Sequence, residues 1–270
     1  MSPDPAGSSA ELVLSEDRGP VRVVTINRAE VRNAIDMPTR VALAEALEAA
    51  DGAIRVRAVV LTGAAPTFCS GGDIASMRRM SRDEAVPRAQ AAQRIIRAIW
   101  GTSKPVVAAV EGAAYGAGMS LALACDRVVA SREARFAPTF SRVGLAGDMG
   151  IFASLAARVG PHRAKQLLMF PDPVSGDAAV ALGLVDRAVD PGAALDAALE
   201  DADHLASMAA GALGVVKRTL SGEPRHPAAV LELEVQNQAD LFGSDDFAEG
   251  VAAFAERRAP RFGTTPGRDA

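Results

Sequence analysis

The sequence is poor in the residues that build disulfide frameworks and metal sites. Its 270 residues include two cysteines, Cys69 and Cys125, and both lie within apolar segments. This pattern indicates reduced, buried thiols, which excludes a disulfide framework and is typical of a cytoplasmic protein. The three histidines, His162, His204 and His226, share no metal-ligand spacing. The sequence therefore predicts no metal site.

Excess positive charge and long apolar runs are also lacking. The formal net charge is −4, whereas a nucleic-acid-binding protein is usually basic. No uncharged apolar run reaches the roughly eighteen residues that suggest a membrane span. Residues 1–10 lack the basic start and apolar stretch of a signal peptide, so we expect a disordered tail there. These absences predict a cytoplasmic protein without nucleic-acid or membrane partners.

A strand, a glycine-rich turn and a buried helix follow one another in the middle of the chain. Residues 105–110 form a β-branched apolar run that predicts a buried strand, and glycines follow at 112, 116 and 118. Residues 119–125 are small and apolar on every side, which predicts a buried helix. The first N–H groups of a helix lack partners within it, and glycine lets the backbone approach a ligand. The turn is either a candidate ligand site or an ordinary tight turn of an α/β core.

A second turn of the same kind lies earlier in the chain. Residues 64–74 (AAPTFCSGGDI) directly follow an apolar run at 58–62 that predicts another strand. Two such turns can hold one oxygen between two backbone N–H donors, which is the arrangement of an oxyanion hole.

Together the two turns resemble those of the crotonase (enoyl-CoA hydratase/isomerase) superfamily. The matching segments are 68–73 (FCSGGD), 111–118 (EGAAYGAG), 125–126, 176–189 and 247–262. The resemblance covers the chain from about residue 12 to residue 262. It implies an α/β fold built as a spiral of ββα units, with a helical C-terminal trimerisation region. Trimers or dimers of trimers are the assemblies that it implies.

The predicted organisation is a disordered tail at 1–10, a core with the acyl-CoA site at 11–192, a helical oligomerisation region at 193–258 and a tail at 259–270. The helices after residue 193 have alanine-rich apolar faces that look too thin to stand alone. We expect them to pack on the core and on a neighbouring subunit. Local patterns predict a hairpin with its loop at 16–20 and helices at 36–50, 74–80, 83–99, 148–159, 161–169 and 175–182.

The resemblance also implies the chemistry of the site. An acyl-CoA thioester would place its carbonyl oxygen between the backbone N–H groups of Ser70 and Ala117, because removal of an adjacent proton puts negative charge on that oxygen. Coenzyme A is then part of the substrate, and no separate cofactor is implied. The substrate-binding residues implied by position are Ala34, Ser70, Gly71, Gly72, Asp73, Ile74, Gly116, Ala117 and Phe140.

The acid/base residues depart from the pattern of the family's hydratases. Those enzymes use two glutamates, and the corresponding positions here hold Ser120 and Phe140, which transfer no proton at neutral pH. Asp148 is an acid nearby, and some isomerases of the family place a catalytic aspartate there. The alternative is that Asp148 caps the helix predicted at 148–159. Asp73 and Glu111 are expected to be structural.

Three functions remain open at this point. The favoured one is an isomerase in which Asp148 removes a proton and returns it to another carbon. The second is an enoyl-CoA hydratase or related lyase with an atypical acid/base set, and the third is a CoA-ester-binding protein with little chemistry. Candidates for lining the acyl pocket are residues 77–80, Phe140 and Phe152. Candidates for contacting the nucleotide phosphates are Lys217, Arg257 and Arg258.

Overall fold

The structure is a computed structural model that describes residues 11–64, 66–221 and 226–263. The tail predicted at 1–10, and residues 264–270 of the tail predicted at 259–270, lie outside the described residues. The strands in chain order are β1 (Val13–Arg18), β2 (Val21–Ile26), β3 (Ala58–Gly63), β4 (Val106–Val110), β5 (Ala113–Tyr115), β6 (Arg127–Ser131), β7 (Arg135–Ala137), β8 (Val174–Ser175) and β9 (Arg187–Val189).

The helices alternate with these strands and then continue alone to the end of the described chain. They are α1 (Met37–Gly52), α2 (Arg82–Gly101), α3 (Ala117–Ala124), α4 (Ile151–Met169), α5 (Gly176–Leu182), α6 (Ala194–Ala206), α7 (Ala210–Leu220), α8 (Pro227–Phe242) and α9 (Asp245–Glu256). Short 3-10 helices lie at Ala29–Val31, Ile74–Ser76 and Thr139–Val143.

The main sheet has the strand order β1-β2-β3-β4-β6-β9. All neighbours are parallel except β1, which pairs antiparallel with β2. Residues facing one side, such as Val59 and Leu61, pack with α1 to α4, and the alternate residues, such as Val60 and Val107, pack with α6. The strands are continuous apolar runs because helices cover both faces of the sheet.

A second, smaller sheet consists of β5, β7 and β8, in that order. An isolated parallel bridge between Cys69 and Ala114 continues this sheet into the 64–73 turn. Main-sheet strand, small-sheet segment and helix therefore recur along the chain, which confirms the expected spiral of ββα units. Sequence patterns predicted only a turn where β5 lies, because three residues are too few to show a period.

Two predicted boundaries in the first half of the chain are wrong. The hairpin loop predicted at 16–20 is shorter, because β1 extends to Arg18 and β2 begins at Val21. The charged residues stay in the strand because Arg22 pairs with Asp17 across the hairpin, with Nε 2.6 Å from Oδ1. The helix predicted at 74–80 is only the 3-10 turn Ile74–Ser76. The chain is extended after it, and a capping box at Ser81 begins α2.

The helix predicted at 148–159 begins three residues later than expected. Helix α4 starts at Ile151, and its cap position is Gly150, with φ +74° and no side-chain cap bond. The hypothesis that Asp148 caps this helix is therefore wrong. The separate helix predicted at 161–169 is the second half of α4, beyond a break in helical geometry at Gly160.

Helix α6 packs on the main sheet through its alanines, including Ala198 and Ala202, so the chain just after residue 193 contributes to the core. The predicted division at 192/193 stays a prediction. Helices α7 to α9 leave large apolar side chains exposed, among them Leu220, Val251 and Phe254. In the described part of the chain, no helix combines the length and apolar character that crossing a membrane requires.

Candidate active site

Backbone hydrogen bonds hold the two glycine-rich turns against each other. Cys69 N donates to Ala113 O at 2.9 Å, and Tyr115 N donates to Cys69 O at 3.0 Å. The turns also touch at Gly118, where a Cβ atom would overlap the carbonyl oxygen of Cys69. Glycine is therefore required at 118 by close approach of the backbones.

The first turn of α3 presents an N–H group toward the space between the turns. Gly116 occupies the cap position with φ +51°, and Ala117 is the first helical residue. Among the described residues, no group accepts a hydrogen bond from the Ala117 N–H, as expected of the first amide of a helix. A Cβ atom on Gly71 would lie 3.9 Å from Ala117 N, so the backbone of the other turn is adjacent.

The N–H group of Ser70 is engaged in this structure. It donates to Arg32 O at 3.1 Å, across to the loop that precedes α1. The structure therefore brings Ser70 and Ala117 to neighbouring turns but leaves only the Ala117 donor free. Local sequence carried no signal for the Arg32 bond, because it joins two loops that are distant along the chain.

The loop at 28–35 is tied to the 64–73 turn along its length. Ile35 N donates to Gly71 O at 2.9 Å, and buried Asn33 donates through Nδ2 to Thr67 O at 2.5 Å. Asp73 closes its own loop by accepting from Ala75 N at 3.1 Å, and it pairs with Arg28 at 3.2 Å. These contacts hold the backbone of the predicted substrate-binding residues in one place.

Of the other predicted residues, Phe140 and Met77 lie against the two turns, whereas the side chains of Ile74 and Glu111 have other surroundings. The Phe140 ring, which is buried, lies 3.9 Å from where a Cβ on Gly116 would be, and the Met77 methyl group lies against Gly72. Ile74 is 65% exposed. Glu111 accepts from Gly192 N at 2.9 Å and from Ala194 N at 3.0 Å, so its carboxylate fixes the start of α6.

Asp148 lies on a tightly wound loop beside α3. The hydroxyl of Ser120, one turn after Ala117, donates to the carbonyl oxygen of Asp148 at 3.1 Å. Met149 adopts φ +51° although it is not glycine, and its side chain is fully buried. A non-glycine residue in the left-handed region is strained, and such strain clusters at functional sites. The loop therefore fixes where the Asp148 carboxylate can lie.

The sequence interpretation missed Arg40, whose guanidinium pairs with Asp148. Arg40 Nη1 lies 3.7 Å from Asp148 Oδ2, and only 5% of the Arg40 side chain is exposed. Helix α1 is turned so that Val41 is 39% exposed and Arg40 is buried beside Leu43 and Ala44. A charge at helical spacing within an apolar stripe was the signal available in the sequence.

Burial and positive charge act on the Asp148 carboxyl in opposite directions. Burial raises its pKa above the usual 3.8, and the charges of Arg40 and then Arg88 oppose that rise. Its Oδ1 is shielded from solvent and has no hydrogen-bond partner, although 41% of the side chain is exposed through other atoms. Burial raises the pKa of the Cys69 thiol to about 12, so this thiol is neutral and unreactive at neutral pH.

The predicted phosphate contact of Lys217 is wrong. Its side chain is 6% exposed, and its Nζ donates to Asp126 Oδ2 at 2.6 Å and to Lys104 O at 2.9 Å. Arg258 pairs with Glu249, and any phosphate contact by Arg257 or Arg258 stays a prediction. Among residues 11–64, 66–221 and 226–263, no group of three acidic, histidine or cysteine side chains is arranged to bind a metal.

Comparison with known proteins identifies the class to which this fold and site belong. The model of the enoyl-CoA hydratase/isomerase family matches residues 16–265. A "Probable enoyl-CoA hydratase" of Rhodobacter capsulatus is 37% identical over 253 residues, which cover 89% of this chain and 93% of that protein. The 1,2-epoxyphenylacetyl-CoA isomerase of Escherichia coli is 33% identical, with 93% and 98% covered.

Solved structures agree with this assignment. An enoyl-CoA hydratase from Polaromonas sp. superposes with a TM-score of 0.88 at 35% identity, covering 93% of this chain and 99% of that one. The chain belongs to the enoyl-CoA hydratase/isomerase family, within the crotonase superfamily.

Proposed function

We propose that the protein is an acyl-CoA isomerase that moves a double bond, or rearranges a ring, with Asp148 as its single acid/base. The observation that carries the proposal is the position of this carboxylate. Its loop is hydrogen-bonded to α3 one turn after Ala117, and its side chain pairs with Arg40, whose Nη2 lies 3.3 Å from where a Cβ on Gly72 would be. Asp148 thus contacts the helix that follows one turn and reaches the other turn through Arg40, and we propose that these two turns bind the thioester.

For a 3-enoyl thioester, the ionised Asp148 takes a proton from C2. The electron pair of that C–H bond moves toward the thioester carbonyl, which gives a dienolate with negative charge on oxygen. The protonated Asp148 then returns the proton to C4, and the electrons move back to leave a 2-enoyl thioester. One carboxylate accepts and donates the same proton, so the step requires no external oxidant or second acid.

The Ala117 and Ser70 N–H groups are the proposed donors to the dienolate oxygen. The Ala117 donor needs no rearrangement, whereas the Ser70 donor must exchange its bond to Arg32 O for one to the substrate. Each such donor contributes roughly 3–4 kcal/mol of transition-state stabilisation in comparable sites. The oxygen of a substrate bound against the 28–35 loop would compete with Arg32 O for the Ser70 N–H.

A hydratase is the second candidate, because the Rhodobacter capsulatus and Polaromonas sp. relatives carry hydratase names. A water molecule would then need Asp148 and another group to activate it. The Ser120 hydroxyl is fully buried and already contacts the carbonyl oxygens of Asp148 and Gly116, at 3.1 and 3.4 Å. These contacts favour the single-carboxylate mechanism over a pair of acids.

Turnover of matched 2-enoyl-, 3-enoyl- and dienoyl-CoA substrates tests the proposal. We expect double-bond migration that Asp148→Asn slows by roughly two to four orders of magnitude and that Asp177→Asn, at an exposed aspartate paired with Arg132, preserves. Water addition to 2-enoyl-CoA without migration would favour the hydratase. Calorimetric binding of acyl-CoA with no turnover would favour a CoA-ester-binding protein.

We also propose a homotrimer or a dimer of trimers with a cytoplasmic location. The exposed apolar side chains of α7 to α9, including Val251 and Phe254, support an assembly that covers them. Light scattering at micromolar concentration checks this, and a monomer would contradict it.

A further inference from the structure

We infer that Arg40 is a positioning residue for Asp148. It orients the carboxylate beside the two glycine-rich turns and favours its ionised form. The kinetic consequence of this inference rests on the proposed role of Asp148, whereas the pairing itself does not. Arg40 reaches Asp148 from α1, an element that contributes none of the residues in the proposed chemistry.

The backbone of Arg40 is fixed at the start of α1. The Asp36 carboxylate caps the helix by accepting from Thr39 N at 2.9 Å and from Thr39 Oγ1 at 2.6 Å. The Arg40 side chain then runs into the core, where Nε donates to Ile35 O at 3.5 Å. Burial removes the rotamer freedom of this long side chain, so the guanidinium has a defined position.

The guanidinium is poorly satisfied by protein acceptors. It has five N–H donors, yet its contacts within the described residues are the 3.5 Å bond to Ile35 O and the 3.7 Å pair with Asp148. A buried arginine that served packing alone would be an inefficient choice, because apolar side chains of similar volume pack at least as well. The arrangement is explained if the charge acts on Asp148.

The separation of the pair suits a carboxylate that must take up a proton. At 3.7 Å, Arg40 Nη1 is too far from Asp148 Oδ2 for a hydrogen bond. Arg40 therefore acts on Asp148 mainly through its positive charge and engages the lone pairs of Oδ2 only weakly. Asp148 Oδ1 is shielded and unpartnered, so the exposed part of the carboxylate lies on the side that faces Arg40.

Groups from each neighbouring element define the charge around Asp148. Arg40 of α1 and Arg88 of α2 lower its pKa, with Arg40 the larger of the two, and burial raises it. Helix α3 (AGMSLALA) has no titratable residue. Cys69, beside Arg40, stays neutral because its pKa is about 12. Removal of Arg40 would therefore remove the main opposition to protonation of Asp148.

The test compares Arg40→Met and Arg40→Lys with Arg94→Met. Arg94 also joins α1 and α2, through a surface pair with Glu48, and serves as the matched control. In the pH profile of kcat/KM we expect Arg40→Met to move the acidic limb upward by about one pH unit or more. Arg40→Lys should restore part of the shift, and Arg94→Met should show none. If Asp148→Asn inactivates the enzyme, an unchanged profile in Arg40→Met would overturn the inference.

An infrared titration of the Asp148 carboxyl separates this inference from the proposed function. The carboxyl band is assigned by its absence in Asp148→Asn, and the measurement needs no turnover. A rise of the Asp148 pKa in Arg40→Met supports the pairing even if Asp148 proves not to be the acid/base. An unmoved titration overturns the inference even if Asp148→Asn is inactive. Should Arg40→Met fail to fold, Arg40→Gln and Arg40→Lys provide the same comparison.

Discussion

Two ion pairs of this protein each join a buried cation to an aspartate, but their polar atoms are hydrogen-bonded to different extents. The cations are alike, because the side chains of Arg40 and Lys217 are 5% and 6% exposed. Lys217 Nζ lies 2.6 Å from Asp126, whose same carboxylate oxygen also accepts from Val106 N at 2.8 Å. Arg40 lies 3.7 Å from Asp148, and one oxygen of that carboxylate has no partner.

The difference indicates what each pair does. The Lys217–Asp126 pair ties α7 to the start of β4 and to the end of α3, and its polar atoms are hydrogen-bonded as in a structural network. The Arg40–Asp148 pair joins Gly72 of one turn to the loop beside α3, and Asp148 Oδ1 has no hydrogen-bond partner. Under-satisfied charges are costly and are concentrated at functional sites.

The largest expected effect separates the two aspartates by turnover. Asp148→Asn should reduce kcat by roughly two to four orders of magnitude, because an amide cannot accept the proton. Asp126→Asn should retain the rate of the wild type per folded molecule. Steady-state kinetics with the substrate turned over by the wild type measures both. Equal losses in the two variants would remove the distinction between the pairs.

The free energy of unfolding should show the reverse order, with Asp126→Asn losing more than Asp148→Asn. Asp126→Asn leaves the Lys217 ammonium buried without a counter-charge, which we expect to lower the free energy of unfolding by about 3 kcal/mol. Denaturant unfolding measures this loss. The double variant Lys217→Met with Asp126→Asn serves as the control and should recover part of it, since no buried charge remains. A stable Asp126→Asn variant would contradict the structural assignment.

The coupling energy between the two members of each ion pair should also differ. In double-mutant cycles of unfolding, we expect the Lys217–Asp126 coupling to exceed that of Arg40–Asp148 by about 1 kcal/mol. The longer separation and the partly exposed Asp148 weaken the second pair. Asp148→Asn alone should change the stability little, because burial opposes the ionised form of Asp148 more than Arg40 favours it. Equal couplings would show that distance and satisfaction do not distinguish the pairs.

The smallest expected effect is a pH dependence of stability. Because burial raises the folded-state pKa of Asp148 above 3.8, the folded protein binds this proton more tightly than the unfolded chain does. The contribution of Asp148 to the free energy of unfolding is therefore greatest below pH 3.8 and falls as the pH rises through the folded pKa. Asp148→Asn should remove this fall, which denaturant unfolding at a series of pH values measures. A contribution that grows with pH would contradict the sign.

Much of the fold was predictable because its signals are local. Apolar runs predicted β3 and β4, a helix cap and a proline predicted the start of α1, and serine and glycine at the two ends predicted α5. The glycines of the two turns indicated a site where backbones approach closely, because no side chain fits there. The same signals led to the family.

What the sequence by itself determined is thus the order of the longer strands and helices, the two turns and the presence of an acid at 148. Tertiary structure alone decided that Asp148 does not cap α4, that the Ser70 N–H is held by Arg32, and that Arg40 turns inward to meet Asp148. The reason is that periodicity defines a helix face only to within a residue or so. Which charge enters the core depends on how α1 packs against the rest of the chain.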